Sequence, residues 1–416
     1  MHVVLYTHPD FQGFVSQQRF AQQLAKGLVQ RGVTVQLRQP RALFRRWFQR
    51  GFAGSVAAAV DQYLLFPLQQ LAAQRRDGAD TLYVFCDQAQ GPWIPQVARR
   101  PHVVHCHDFL ALRAALGLVP PQHLAAPSRW LQRAIRLGFQ QARCFVSVSA
   151  ATREDLHRLG GVPAVVSVSE VVPNAVAPDF CCMTPAVARA RLAAAGLSFD
   201  GPPPLLHVGS DAWYKNSAGV LHLYAAHVRA ARRDGTLPRA LWLVSPPATG
   251  AAAEALRALP PGSQVRYLQA LPDEVLAALY ASAALLLFPS LHEGFGWPIA
   301  EALGCGCPVL TTQRAPMTEV GGPVAHYLPP MPQGAAGQAK AEVQADVRAW
   351  ADAGAQRIQA VLSRSAAQQV ADADAAVVWA QRFAQEPWLD ACLAVYRRAA
   401  HAAPTHPVAA AAKARI

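Results

Sequence analysis

This chain of 416 residues has only two asparagines and four lysines, against 34 arginines. Where a positive charge alone is wanted, the sequence uses arginine. A lysine or asparagine in a loop therefore stands there for its own geometry, as a compact point charge or an amide. The asparagines are Asn174 and Asn216, the lysines Lys26, Lys215, Lys340 and Lys413, and the pair Lys215 and Asn216 is adjacent. Paired CxxC units are also missing, which excludes the common zinc ribbons. The eight cysteines are scattered through a core-rich chain and make no disulfide framework. No apolar run is long enough to span a bilayer without interruption, because "AGSVAAAVDQYLLFPLQQLAAQ" is broken by Asp61, Pro67 and several glutamines. The opening "MHVVLYTHPD" reads as a strand and lacks the charged start, apolar middle and cleavage site of a secretory leader, so a cytoplasmic protein is expected.

What is present is length and apolar content, 52% hydrophobic, enough for two cored domains. Short strand-like runs alternate with helical patterns: "HVVLY", "VTVQL", "TLYVF", "HVVHC" and "CFVSVS", then after a break at "VVPNAVAPDFCCMTP" again "LLHVG", "ALWLVS", "QVRYL", "ALLLFPS" and "PVLTT". Such alternation gives βαβ units and parallel sheets, so an α/β fold with two Rossmann-like domains in series is expected. The expected boundaries are 1–178 and 179–383, followed by a helix at 384–401 that returns to the first domain, and a low-complexity, disordered tail at 402–416. Residues near the end read as a long helical stretch interrupted at Pro387. The net charge of +12 is uneven: residues 1–180 hold 19 basic against 10 acidic residues, the remainder 19 against 16.

The stretch "LFPSLHEGFGWPIAEALGCGCPVLTT", residues 287–312, carries the most chemistry. A buried strand runs into a loop with Glu293, Gly294 and Gly296, and Pro298 suits the first position of a new helix, placing Glu301 in that helix's first turn. Glycines that leave amides free, beside a helix N-terminus at the carboxyl end of a parallel strand, make an anion site. Two carboxylates would repel a phosphate in direct contact, so each is suited to accept hydroxyl hydrogen bonds. The implied ligand has a diphosphate flanked by hydroxyl-bearing groups. The plainer alternative leaves Glu301 to favour the helix dipole and Glu293 as a solvated loop acid.

With strand, glycines and proline in register, "EGFGWPIAE" resembles the E-x7-E motif of retaining glycosyltransferases with the GT-B fold, in particular glycosyltransferase family 4, the group 1 glycosyl transferases. The resemblance implies two Rossmann-like domains facing each other across a cleft, with Glu293 on the donor sugar and Glu301 on the ribose hydroxyls. It extends to "LLHVGSDAWYKN", where Gly209, Lys215 and Asn216 correspond to a diphosphate grip. Ser210 occupies the place of the arginine usual there, leaving one cation instead of two. Phe295 and Trp297 complete the expected donor loop. "VSVSAATREDL" with Asn174, and "MTEVGG" around Glu319, also fit the family.

In the first domain "RRPHVVHCHDFLALR" ends a strand in His107 and Asp108. The resemblance puts His107 before the donor sugar and makes Glu293, His107 and Lys215 the expected catalytic residues; the plainer alternative is a hydrogen-bonded structural histidine. His105 shares its face, but no further ligand cluster accompanies it, and neither a metal nor another cofactor is expected. The loop "THPDFQGFVSQQRF" keeps Gly13 where relatives carry a glycine-rich turn, so Gly13, Gln17, Arg19 and Asp108 are acceptor-side candidates. In "RQPRALFRRWFQRGF", arginines alternate with Phe44, Trp47, Phe48 and Phe52. That pattern suits an anionic membrane surface, or else a solvated helix that packs its aromatics on the core. No nucleic-acid module accompanies it. The expected function is metal-independent transfer of a hexosyl group from a nucleotide diphosphate sugar, with retention, to a glycan or lipid-linked acceptor. A nucleotide-sugar epimerase of the same fold and an inactive nucleotide-sugar-binding scaffold stand as alternatives.

Overall fold

The computed structural model describes residues 1–401 apart from 14, 49, 121–123, 164–167, 200 and 335–337; the expected tail at 402–416 lies outside the described residues. The chain divides into two compact units, one of Met1–Pro173 with the chain from Glu386 onward, the other of Asn174–Gln385.

The first unit is built on β1 (His2–Tyr6), β2 (Thr34–Arg38), β3 (Leu82–Phe85), β4 (His102–Cys106), β5 (Cys144–Ser147) and β6 (Val168–Val171), all paired in parallel in the order β2-β1-β3-β4-β5-β6. Strands β1, β3, β4 and β5 are buried almost throughout, which is why they read as continuous apolar runs. Tyr6, Phe66, Phe85, Trp93, Phe139 and Phe145 anchor one core cluster. The helix Gln385–His401 closes this unit. Leu389 lies against Gly27 so tightly that a Cβ there would meet it at 2.5 Å, and the Tyr396 hydroxyl bonds the His105 ring at 2.7 Å.

The second unit repeats the plan with β7 (Leu205–Val208), β8 (Leu241–Val244), β9 (Val265–Leu268), β10 (Leu285–Phe288), β11 (Val309–Thr312) and β12 (His326–Leu328). All are parallel, in the order β12-β11-β10-β7-β8-β9. Its core gathers Leu205, Leu223, Tyr224, Leu243, Leu285 and Leu310.

In each sheet the chain reverses its direction of travel about the first strand. The reversal falls between β1 and β3 in the first unit and between β7 and β10 in the second. Loops leaving two such strands diverge and open a crevice at their carboxyl ends, the usual ligand position of a doubly wound sheet.

Three local expectations are corrected. The C-terminal helical stretch breaks at a 3₁₀ turn, Gln381–Phe383, not at Pro387; that proline sits in the first turn of Gln385–His401, where the N–H it lacks has no partner to lose. The helix after Gly296 begins at Trp297, with the proline second, so Glu301 is its fifth residue and lies beyond the first turn. The described residues of 39–50 form no helix: β2 ends at Arg38 and turns lead to a helix that starts at Gly51. Phe44, Trp47, Phe48 and Phe52 are all exposed and none is packed on the core.

Candidate active site

In the second unit the residues of interest come from the two loops that flank the β7/β10 reversal. After β7 the chain turns at Gly209, where an added Cβ would stand 2.9 Å from the Nε2 of the buried His207. A 3₁₀ turn, Trp213–Lys215, then delivers the lysine. Asn216 follows in the left-handed region, φ 57°, and its Oδ1 accepts from Gly219 N (3.0 Å) at the start of the helix Ser217–Arg233. Its Nδ2 donates to the carbonyl of Pro289 in the β10 loop at 2.9 Å. A side chain that must tolerate positive φ and offer both a donor and an acceptor is an asparagine. The scarcity of that residue in the sequence pointed to this spot for the right physical reason.

Lys215 Nζ reaches both oxygens of Glu293, at 2.9 and 3.0 Å, and both side chains are largely shielded from water. Two residues 78 apart in sequence are thus joined as an ion pair across the reversal. The lysine also lies over the rings of Tyr214 and Phe288. The β10 loop is held by Leu291 N to Tyr214 O (2.8 Å), by the Thr312 hydroxyl to Ser290 O (2.7 Å) and by Arg314 Nη1 to Leu291 O (3.1 Å). Gly296, at φ 102°, makes the turn into the helix Trp297–Gly304, a conformation that disfavours any side chain.

Glu301 is buried and accepts from the hydroxyl of Tyr280 at 3.0 Å. Burial first, and then the neighbouring Glu301 charge, push the Tyr280 phenol well up, so it remains a donor and fixes the carboxylate. The remaining members of the expected loop take different places. Phe295 packs inward on Phe383, the indole of Trp297 donates to Ala175 O at 3.1 Å, and Ser210 is exposed, its Oγ accepting from Ala212 N.

In the first unit the β1/β3 reversal holds a second buried pair, which the sequence reading missed: His8 after β1 and Asp87 after β3, 3.3 Å apart. Burial alone would lower the His8 pKa, but the hydrogen bond and charge of Asp87 outweigh it and raise it. Burial would likewise raise Asp87, and His8 with the Ala89 amide brings it below the ordinary carboxylate value. His107 stands beside them at the end of β4. Its Nε2 donates to Cys86 O (2.9 Å), its amide to Gln88 Oε1, and burial lowers its pKa, so the ring is neutral with Nδ1 as its acceptor nitrogen. His105 does share the face, both rings meeting Phe20, but it is turned to Tyr396.

The acceptor-side candidates are spread along this end. Gly13 ends a 3₁₀ turn at φ 69°, Gln17 and exposed Arg19 lie on the helix Val15–Gln30, and Asp108 accepts from Leu110 N at 2.9 Å to start the next helix. Arg314, Tyr280, His8 and Asp87 carried no signal in one sequence, because each gains its meaning from a partner far along the chain. Among the described residues no group of three or more His, Cys, Asp or Glu is placed to hold a metal ion.

Two family models match: Glycosyltransferase Family 4 over residues 17–180, and Glycosyl transferases group 1 over residues 202–353. Between them they take in most of the chain, which belongs to the group 1 glycosyl transferases of family 4 and has their GT-B fold. The O-antigen chain mannosyltransferase B of Escherichia coli is 27% identical over 274 residues, 63% of this chain and 65% of that protein, so the match spans slightly less than two thirds of the relative's length. An MMP alpha-(1->4)-mannosyltransferase of Mycolicibacterium hassiacum is 47% identical over 53 residues, 13% of each chain. Among solved structures, a sucrose-phosphate synthase from Thermosynechococcus elongatus shares the fold with a TM-score of 0.62 at 18% identity, over 96% of this chain and 98% of that one.

Proposed function

We propose that the chain is a retaining, metal-independent hexosyltransferase that uses a nucleoside diphosphate sugar and extends a cell-surface glycan or a lipid-linked acceptor. The observation that carries the proposal is the Lys215–Glu293 pair at the β7/β10 reversal, with Glu301 fixed by Tyr280 on the following helix. An ammonium has three donors, and the carboxylate takes two of them, so Lys215 keeps one for a diphosphate oxygen while Glu293 stays in reach of sugar hydroxyls. Glu301 accepts from the ribose hydroxyls. Arg314, tethered by one nitrogen to Leu291 O, supplies the second cation where Ser210 provides none. The two cations stabilise the leaving diphosphate without a metal.

The anomeric carbon–phosphate oxygen bond breaks, the acceptor oxygen bonds to the same face of that carbon, and the acceptor proton passes to the departing phosphate oxygen. His107 of the first unit is neutral and has Nδ1 as its acceptor nitrogen, which suits a ligand hydroxyl. The family relatives named above are mannosyltransferases, which makes nucleoside diphosphate mannose the first donor to try.

Product analysis by NMR with donor, candidate glycan acceptors and a chelator is the test. A glycoside with the donor's anomeric configuration is expected. The opposite configuration, or activity lost with the chelator, contradicts the mechanism. A free altered sugar made without acceptor identifies an epimerase, and donor binding with no product identifies a scaffold.

A further inference from the structure

Residues 51–74 run as one unbroken helix, with a single π turn at Asp61–Leu65. Over its whole length Asp61 is the only charged residue, and Asp61 is buried. A helix on the surface of a protein in water normally turns charged and polar side chains outward. This one turns out Phe52, 86% exposed, with Val56, Leu64, Leu68 and Leu71 behind it. At about 1.5 Å per residue this apolar strip is on the order of 35 Å long.

The ends of the strip are basic. Arg41, Arg45, Arg46 and Arg50 precede it, Arg75 and Arg76 follow it, and residues 41–76 hold no lysine and no acid other than Asp61. The approach segment is built, not slack: the Asp61 carboxylate accepts the backbone amides of Leu43, Phe44 and Arg45 at 2.9 to 3.1 Å, which fixes the turn that displays Phe44 and Trp47, the latter 72% exposed with Arg46 over its ring.

We propose that residues 44–76 are an interfacial docking surface for an anionic lipid bilayer, the helix lying in the headgroup plane with its apolar face toward the acyl chains. An apolar strip bounded at both ends by arginine complements anionic headgroups, and Trp and Phe suit the interfacial depth. A second copy of the chain fits less well, since a two-fold pairing of antiparallel helices would bring the arginines at one end of the strip against those at the other. The inference deepens the lipid-linked reading of the acceptor given above, but the test is independent of it because no sugar is present.

Sedimentation with phosphatidylglycerol–phosphatidylcholine vesicles, and with pure phosphatidylcholine vesicles, measures it. The chain should bind the first and not the second, and raising salt should weaken binding as the Debye length falls from about 10 Å at 0.1 M to about 3 Å at 1 M. Phe52→Ser with Leu64→Gln and Leu68→Gln, all at exposed positions, should cut binding by roughly tenfold or more while leaving the thermal melt in place. Arg46→Gln, Arg50→Gln, Arg75→Gln and Arg76→Gln together should remove the salt-sensitive part. Equal binding by the apolar variant and the parent overturns the proposal, as does a parent that binds neither vesicle. A parent dimer dissolved by the Leu64 and Leu68 changes would assign the face to a second copy instead.

Discussion

At the residue scale, both units use one device: a basic and an acidic side chain drawn from the ends of the two strands at the sheet's reversal, shielded from water and joined there. Lys215–Glu293 was legible in part, because a rare lysine and a glutamate beside two glycines stand out, although their direct bond did not. His8–Asp87 was not legible, since a histidine before a proline and an aspartate after a strand are ordinary in isolation. Removing one member of a buried pair strands the other charge, at a cost of about 3–5 kcal/mol, so such pairs also answer to pH. His8 is held above its ordinary 6.5, so its contribution to stability is complete below 6.5 and is lost as pH rises through the folded value. Asp87 is held below 3.8, so its contribution is complete above 3.8 and is lost as pH falls through the folded value. His107, the other titratable ring near Asp87, is kept neutral by burial. Asp87→Asn should therefore lower the urea midpoint most between 3.8 and 6.5, with the gap to the parent narrowing at alkaline pH. A gap that stays constant with pH would assign Asp87 to neutral hydrogen bonding alone.

At the element scale, ten of the twelve strands among the described residues were readable, most of them because strands buried on both faces become short runs of Val, Leu, Ile and Phe, and the edge strands Thr34–Arg38 and Val265–Leu268 by their alternating apolar residues. The two that were not, Val168–Val171 and His326–Leu328, are short edge strands, the first interrupted by Ser169 and Glu170 and the second only three residues long. The helix beginning at Trp297 was placed one residue late, since Pro suits either of the first two positions. The turn structure of the arginine-rich approach to the helix at 51–74 was not legible because its organiser, Asp61, looks in sequence like a break in an apolar run. Here the structure carries a definite energetic claim: four contacts from three backbone amides converge on one carboxylate. Hydrogen bonds to a charged group are worth about 1.5–3 kcal/mol each, so Asp61→Ala should cost about 3 kcal/mol or more in chemical denaturation. Hydrogen exchange at the amides of residues 43–45 should quicken in Asp61→Asn and more so in Asp61→Ala. Unchanged protection at those amides would mean that the turn is held by something else.

For the whole molecule, two parallel sheets of one plan, each with its own core and its own reversal, divide the chemistry. The second unit carries the Lys215–Glu293 pair and Glu301, to which the proposed function gives the diphosphate and ribose, and the more basic first unit carries the strand-end histidines and the apolar, arginine-flanked helix. The central claim is that the β7/β10 reversal holds the nucleoside diphosphate with Lys215 and Arg314 as its two cations. Calorimetric titration with a nucleoside diphosphate of the base that the parent prefers tests it most directly, on the parent, Lys215→Gln and Arg314→Gln. Arg314 is exposed, so its replacement leaves no buried charge behind and gives up only the tether to Leu291 O besides the ligand contact. Each charge-assisted phosphate contact is worth about 1.5–3 kcal/mol, so each variant should bind at least roughly tenfold more weakly than the parent. Parent-like affinity in both folded variants would contradict the account and move the donor away from this crevice.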